Sequence, residues 1–297
     1  MTWSLFRWVW QLEGPLHVGM PPAGSLNRTR LYVPARAVWG ALTAELSRRE
    51  AQNGREPQYQ SVGERLQKEY RFSYLFPAQK VGATWRAWLP TYRAALGLGW
   101  VREDQPDQDV GDRQFRRRLL STRLGTSIDA STDAADDGSL RETECIETRW
   151  RDDRGLDEGL VAMVGYAFVK TGKEKAKYSK TKRRLDGLDT LFVGGDTRYG
   201  LGRLRRTSFE RVPPQKERIF GCQVVHSDAN PPSIEAQTVF AHIHPGVQLA
   251  GSLELLGGWD HYLIRSLDRS APLWQPGSKA SSALQWVIEP DGNWRQV

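Results

Sequence analysis

Cysteine is almost missing from this chain: Cys145 and Cys222 are the two in 297 residues. They cannot build a disulfide framework, and a reducing, cytosolic setting is expected. Long apolar runs are also absent. The stretch Trp3 to Leu12 is interrupted by Arg7 and is far shorter than the ~20 residues a membrane helix needs. It has no basic head, long apolar middle or small-residue cleavage site, so it does not read as a signal peptide, and no membrane partner is expected. Histidine is scarce, with five in all. His242 and His244 alternate as if on one side of a strand, with His261 further on. No Asp, Glu or Cys stands at a spacing that would close a tetrahedral site, so neither metal nor cofactor is expected. There is no Gly-x-Ser-x-Gly elbow, no Cys/His arrangement for nucleophilic attack and no Gly-Lys-Ser/Thr ending a phosphate loop. These absences exclude the familiar nucleophilic hydrolase and P-loop patterns.

What is present is charge and aromatic bulk. Lys and Arg number 42 against 35 Asp and Glu, a formal net charge of +7, with 39% hydrophobic and 26% charged residues. That composition is globular and favours polyanionic partners without naming one. The length suits one large domain or two modest ones. Residues 3–12 alternate, with Phe6, Trp8, Trp10 and Leu12 on one side, and predict a buried strand. Pro34 precedes Ala35–Arg49, where Val38, Leu42 and Leu46 recur at helical spacing. Residues 50–70 predict partial helix and Thr84–Arg93 a strand, while the acidic stretch Val101–Asp112 reads as a surface loop. Leu120–Trp150 predicts a hairpin around a turn-rich middle, and Leu160–Lys170 a strand. Leu185, Leu188, Leu191 and Phe192 have helical spacing, and Gly194-Gly195 suits the end of such a helix. Strand-like runs follow at 219–226, 236–244, 249–256 and 284–289. The mixture predicts an α+β fold, divided into 1–212 and a β-rich 213–297.

Two constellations have the chemistry to hold an anion. Gly194 to Arg206 contains Gly194, Gly195, Gly200 and Gly202 with Arg198, Arg203, Arg205 and Arg206. Glycines let a backbone approach a ligand and present N–H groups to it, and arginines bind phosphate through two parallel bonds. The alternative is a glycine-rich turn with solvated arginines. The second constellation is Thr171–Arg184, with Lys173, Lys175, Lys177, Lys180, Lys182, Arg183 and Arg184 around Tyr178. It reads either as a loop that follows a nucleic-acid backbone or as a solvated charge run. His17, beside a glycine-containing turn, is a candidate acid/base, with a hydrogen-bonded structural role as the alternative.

Three stretches, in order, resemble the RAMP superfamily of CRISPR effector subunits. They are Gly14-Pro-Leu-His-Val-Gly19 followed by Leu31-Tyr-Val-Pro-Ala-Arg-Ala-Val-Trp-Gly-Ala-Leu42; Arg123 through Leu140 to Glu144, similar to the segment around the family's hairpin thumb; and Phe192-Val-Gly-Gly-Asp-Thr-Arg-Tyr-Gly-Leu-Gly-Arg203, similar to its glycine-rich loop. The resemblance covers about the first 210 residues. It implies a ferredoxin-like, RRM-related core with a hairpin thumb and glycine-rich loop, in a subunit of a type III-like complex. The implied partners are crRNA, target RNA and other effector subunits.

RAMP subunits that cut target RNA carry an Asp between the first strand and helix, whereas Gly19–Tyr32 holds no acid. Ala35, Ala130 and Ala134 also depart from the family's Gly, Arg and Gly. The resemblance therefore lies nearest to the non-cutting subunits that cap the 5′ handle or form the backbone, in which no catalytic residue is implied. On that reading Arg198, Tyr199, Arg203, Arg205 and their glycines hold RNA phosphates. Arg28, Arg30 and Arg36 add contacts near the helix start, Arg123 marks the hairpin, and the lysine run contributes charge. Two rivals stand beside it. One is a metal-independent endoribonuclease processing repeat RNA through His17; the other is a scaffold using its twelve tryptophans as protein anchors.

Overall fold

The structure, a computed structural model, describes residues 2–51, 56–171, 185–226, 231–259, 267–268 and 271–297. Lys173, Lys175, Lys177, Lys180, Lys182, Arg183, Arg184, Tyr178 and His261 lie outside the described residues. The fold is mixed α/β and strand-rich, with few helices. No described helix is long and apolar enough to cross a membrane.

A ten-stranded sheet carries the first two thirds of the chain. Its strands are β1 (Thr2–Leu12), β2 (Phe76–Val81), β3 (Thr84–Arg93), β4 (Gly97–Arg102), β5 (Gln105–Gly111), β8 (Asp157–Thr171), β9 (Thr190–Phe192) and β10 (Arg203–Arg211), in spatial order β9-β10-β1-β8-β2-β3-β4-β5. Tyr70–Phe72 and Arg149–Arg151 also pair along β8. Strand β1 runs antiparallel to both β8 and β10. Both of its faces are covered, so Leu5 and Val9 are as buried as Trp8 and Trp10. Trp8 stands opposite Gly165 and stacks on Phe72 with ring centroids 5.5 Å apart. Gly165 is needed there: a Cβ would come 2.4 Å from Leu75 Cδ2 and 2.9 Å from the Tyr74 carbonyl oxygen.

Helix α1 (Ala35–Glu50) begins after Pro34, whose missing N–H costs nothing at a helix start, and buries Val38, Leu42 and Leu46 as their spacing predicts. Arg48 and Arg49 sit in its last turn, where cations complement the helix dipole. Helix α2 (Tyr59–Glu69) packs beside it, and α3 (Asp112–Leu119) buries Phe115 against Trp100, 4.4 Å between ring centroids. Strands β6 (Leu120–Gly125) and β7 (Arg141–Ile146) form the expected hairpin. Leu26–Asn27 joins β7 in parallel, making a second, three-stranded sheet.

A five-stranded sheet follows, ordered Arg218–Ile219, β11 (Cys222–His226), β12 (Ser233–Thr238), β13 (Lys279–Ile288) and β14 (Trp294–Gln296). Its apolar side meets the first sheet through Phe220, which lies edge-on to Phe76 at 5.1 Å and to Tyr166 at 5.0 Å. Backbone contact adds to this, with Tyr92 N–H donating to the Gly277 carbonyl at 2.9 Å.

Three local expectations are corrected. Val101–Asp112 is not a loop: it contains the end of β4 and all of β5, an edge strand, where Pro106 and exposed acids are tolerated because one side has no ladder partner. The Leu185–Phe192 spacing does not make a helix up to Gly194. Leu185, Leu188 and Leu191 are all buried, but Thr190–Phe192 is held as a strand by pairing with β10. Residues 239–244 are irregular, with isolated bridges from Ile243 to Trp274 and Trp294, and within 249–256 only Leu253–Glu254 is strand.

Candidate nucleic-acid interface

The three stretches singled out in the sequence converge at one end of the first sheet. The chain leaves β1 at Glu13, and Leu16 bridges to Ile146 of β7. His17 Nδ1 lies 2.8 Å from the Glu144 carbonyl oxygen, so that nitrogen carries the proton. The Glu144 carboxylate in turn accepts the Thr29 N–H at 2.9 Å. On the other side the glycine-rich loop lies against the same turn, with Gly195 N–H donating to the His17 carbonyl at 2.9 Å and Gly202 N–H to the Pro15 carbonyl at 2.7 Å. Gly194 and Gly202 both have positive φ, and a Cβ would come 2.1 Å from the His17 carbonyl oxygen at the first and 2.0 Å from that of Val193 at the second.

These bonds correct the expectation of a backbone anion cradle. The N–H groups of Gly195, Gly200 and Gly202, with those of Tyr199 and Leu201, donate to carbonyls of the chain itself. The glycines serve close approach and left-handed turns, and an N–H already paired within the protein is not offered to a phosphate. What the loop presents outward is its side chains. The single turn Thr197–Tyr199 lies between left-handed Asp196 and Gly200, and it leaves Arg198 exposed and Tyr199 71% exposed.

The hairpin supplies the rest. Arg141 and Arg123 lie on one face of the β6–β7 ladder, since Arg141 pairs with Gly125 and Thr143 with Arg123, two residues on. Gly125 leaves room for the Arg141 side chain, whose guanidinium lies over the Tyr199 ring, 4.7 Å from its centroid. Arg123 is exposed, 3.7 Å from Glu147. Arg203 and Arg205 are exposed and share Glu13, each Nε 3.0 Å from one of its carboxylate oxygens. Among the described residues neither Arg141 nor Arg198 has a carboxylate partner. Arg28 is half-buried, and Arg36 is exposed in the first turn of α1. Arg141 and Glu13 escaped the sequence reading. The alternation Arg141-Thr143-Cys145 against Glu142-Glu144 was the signal for Arg141, whereas nothing local marks Glu13 as the partner of two arginines 190 and more positions away.

Arg30 does not belong to this surface. It is 5% exposed, its guanidinium donates to the Gly19 carbonyl and, at 2.6 Å, to that of Leu255, and its Nε lies 3.5 Å from Glu254. A long-range counterion has drawn it inward, so its guanidinium is not presented at the surface. Glu254 Oε1 also lies 2.5 Å from His242 Nε2 and accepts the Tyr32 hydroxyl. His242 Nδ1 lies 2.6 Å from the Tyr74 hydroxyl, which reaches Asn293 Oδ1 at 3.1 Å. His242 is fully buried and His244 exposed, so the two do not share a strand face. No cluster of metal-ligating residues occurs among the described residues. Burial pushes the Cys145 thiol up to about 11, against the pull of Arg123, and that of Cys222 up to about 12. Neither is poised as a nucleophile at neutral pH.

No family model and no curated protein matches the sequence. Among solved structures, the cryo-EM structure of the Type III-B Cmr-beta bound to cognate target RNA and AMPPnP, state 1, holds a chain similar to this one. The TM-score is 0.51 at 13% identity, covering 92% of this chain and 84% of that one. A chain in the Type III-B Cmr-beta structure bound to cognate target RNA gives a TM-score of 0.42 at 11% identity, over 68% of this chain and 96% of that one. The crystal structure of oligomeric Cmr4 from Pyrococcus furiosus gives 0.35 at 9% identity, over 71% and 100%. At such identities the likeness is one of fold: a mixed α/β, strand-rich architecture shared with a chain of the Type III-B Cmr-beta assembly.

Proposed function

We propose that this chain, whose fold is shared with a chain of the Type III-B Cmr-beta assembly, is a non-catalytic crRNA-binding subunit of a cytoplasmic RNA-guided CRISPR complex. In this reading residues 1–212 form a ferredoxin-like RAMP core with the 121–144 hairpin as its thumb, and 213–297 form an extension. The observation that carries it is the seam between hairpin and glycine-rich loop, where Arg141 lies over the exposed Tyr199 ring and Arg198, Arg203 and Arg205 are exposed on the same loop and the strand that follows it. Guanidinium groups on a rigid frame suit phosphates, and an exposed aromatic suits unpaired bases. The acid-free loop at 19–32 agrees with holding RNA rather than cutting it.

The double variant Arg198→Ala/Arg203→Ala tests the site. In fluorescence-anisotropy titrations with single-stranded repeat RNA over a salt series, we expect affinity to fall roughly tenfold at physiological salt. The log–log salt slope should flatten by about 0.7 for each phosphate that is no longer neutralised. Glu13→Gln, which frees Arg203 and Arg205 from their shared carboxylate, should tighten binding. An unchanged slope in the double variant would remove RNA from this surface.

A further inference from the structure

We propose that the Tyr199 ring is a nucleobase seat: one unpaired base of a bound RNA strand stacks on its open face, while Arg141 caps the other. This rests on the RNA-binding reading and adds to it where one base, rather than the phosphate chain, is held. The loop is preorganised for the purpose. Five backbone bonds, from the N–H groups of Gly195, Tyr199, Gly200, Leu201 and Gly202, hold the turn in place. The left-handed Asp196 and Gly200 point the ring outward at 71% exposure. A large aromatic held outward by a rigid turn does not contribute to the core and loses little conformational entropy when it takes a partner.

Arg141 fixes the geometry. Its guanidinium covers one face of the ring at 4.7 Å, a cation–π contact that also ties the hairpin to the loop. With that face taken and the residue so exposed, the opposite face is the one open to solvent. A base laid there completes a guanidinium–phenol–base stack, an arrangement tolerant of sequence because every base has a π-face. Arg198, next in the chain, is exposed and without a carboxylate partner among the described residues, so the ring is accompanied by a guanidinium suited to a phosphate, which favours a nucleotide of a single strand over an isolated aromatic side chain of a protein.

An abasic scan of full-length protein against single-stranded RNA separates the possibilities, because an abasic site removes the base and keeps the phosphate. The wild-type chain should show one position at which loss of the base weakens binding about tenfold. Tyr199→Ala should bind intact RNA about tenfold more weakly, be indifferent to the abasic position and keep its salt slope, while Tyr199→Phe should behave as wild type. If the wild-type chain binds RNA but no position is sensitive, or if Tyr199→Ala keeps the sensitivity, the base seat is wrong and the phosphate surface stands. If Tyr199→Ala leaves RNA binding intact but fails to co-purify a protein partner that wild type retains, the ring is a protein anchor and the seat is again wrong. A wild-type chain that binds no RNA at all would overturn both readings.

Discussion

Replacing Glu254 with alanine is expected to lower the unfolding free energy by about 3–5 kcal/mol, the cost of leaving a buried charge without its partner. Arg30 is 5% exposed and His242 fully buried, and Glu254 is the carboxylate that both approach. Removing it strands the Arg30 guanidinium in a place water does not reach, and it takes the acceptor away from the Tyr32 hydroxyl and His242 Nε2. The pH dependence of stability gives a second reading of the same cluster. Burial alone would raise the Glu254 carboxyl, but the hydrogen bond and charge of His242, the charge of Arg30 and the bond from Tyr32 outweigh it and hold the group below its ordinary value. A carboxyl lowered in the folded state stabilises the fold fully above its unfolded pKa, about 4.3, and the contribution disappears as pH falls through the lower, folded value. Urea unfolding of wild type and Glu254→Gln between pH 7 and pH 3 should show the difference between them shrinking on the acid side. A difference that does not change with pH would mean that Glu254 is not the ionised centre of the cluster.

Gly202→Ala is expected to cost about 3 kcal/mol and with it most of the RNA affinity proposed for this surface, whereas Gly200→Ala, two residues away, should cost about 1 kcal/mol and leave that binding nearly intact. Both glycines have positive φ, +75° and +84°, so both substitutions meet the left-handed penalty. They differ in space. A Cβ on Gly202 would come 2.0 Å from the Val193 carbonyl oxygen, which is backbone and cannot swing aside, whereas one on Gly200 meets nothing within 4 Å. To relieve the clash the loop has to part from β9 and Pro15, breaking the bonds that Gly202 makes to Val193 and Pro15 and letting the Tyr199 turn drift from Arg141. Thermal unfolding and RNA titration of the two variants side by side check the contrast. Equal effects would mean that backbone strain, not close packing, sets the requirement for glycine.

The elements read correctly from the sequence are those whose cause is local. Strand β1 followed from alternating aromatic residues and α1 from Val38, Leu42 and Leu46 after Pro34. The hairpin followed from a turn-rich middle between Arg-rich and acidic flanks. Where the reading failed, two structures shared one local pattern. The spacing of Leu185, Leu188 and Leu191 serves burial in a helix or in a turn leading to a strand, and only pairing with β10 decides between them. Acidic composition at Val101–Asp112 suggests solvent exposure, and an edge strand satisfies that as well as a loop does.

The site divides in the same way. By itself the sequence determined that the chain carries an arginine- and glycine-rich turn, a hairpin and an acid-free loop, and that they resemble RAMP subunits, because residue types and short spacings are one-dimensional properties. Tertiary structure alone decided how each group is used. It turned the glycine N–H groups onto Pro15 and His17, withdrew Arg30 to Glu254, 224 positions away, and laid Arg141 on Tyr199 across 58 positions. The reason is physical: a buried charge or N–H takes whatever partner folding brings within reach, and such partners are set by the packing of distant segments.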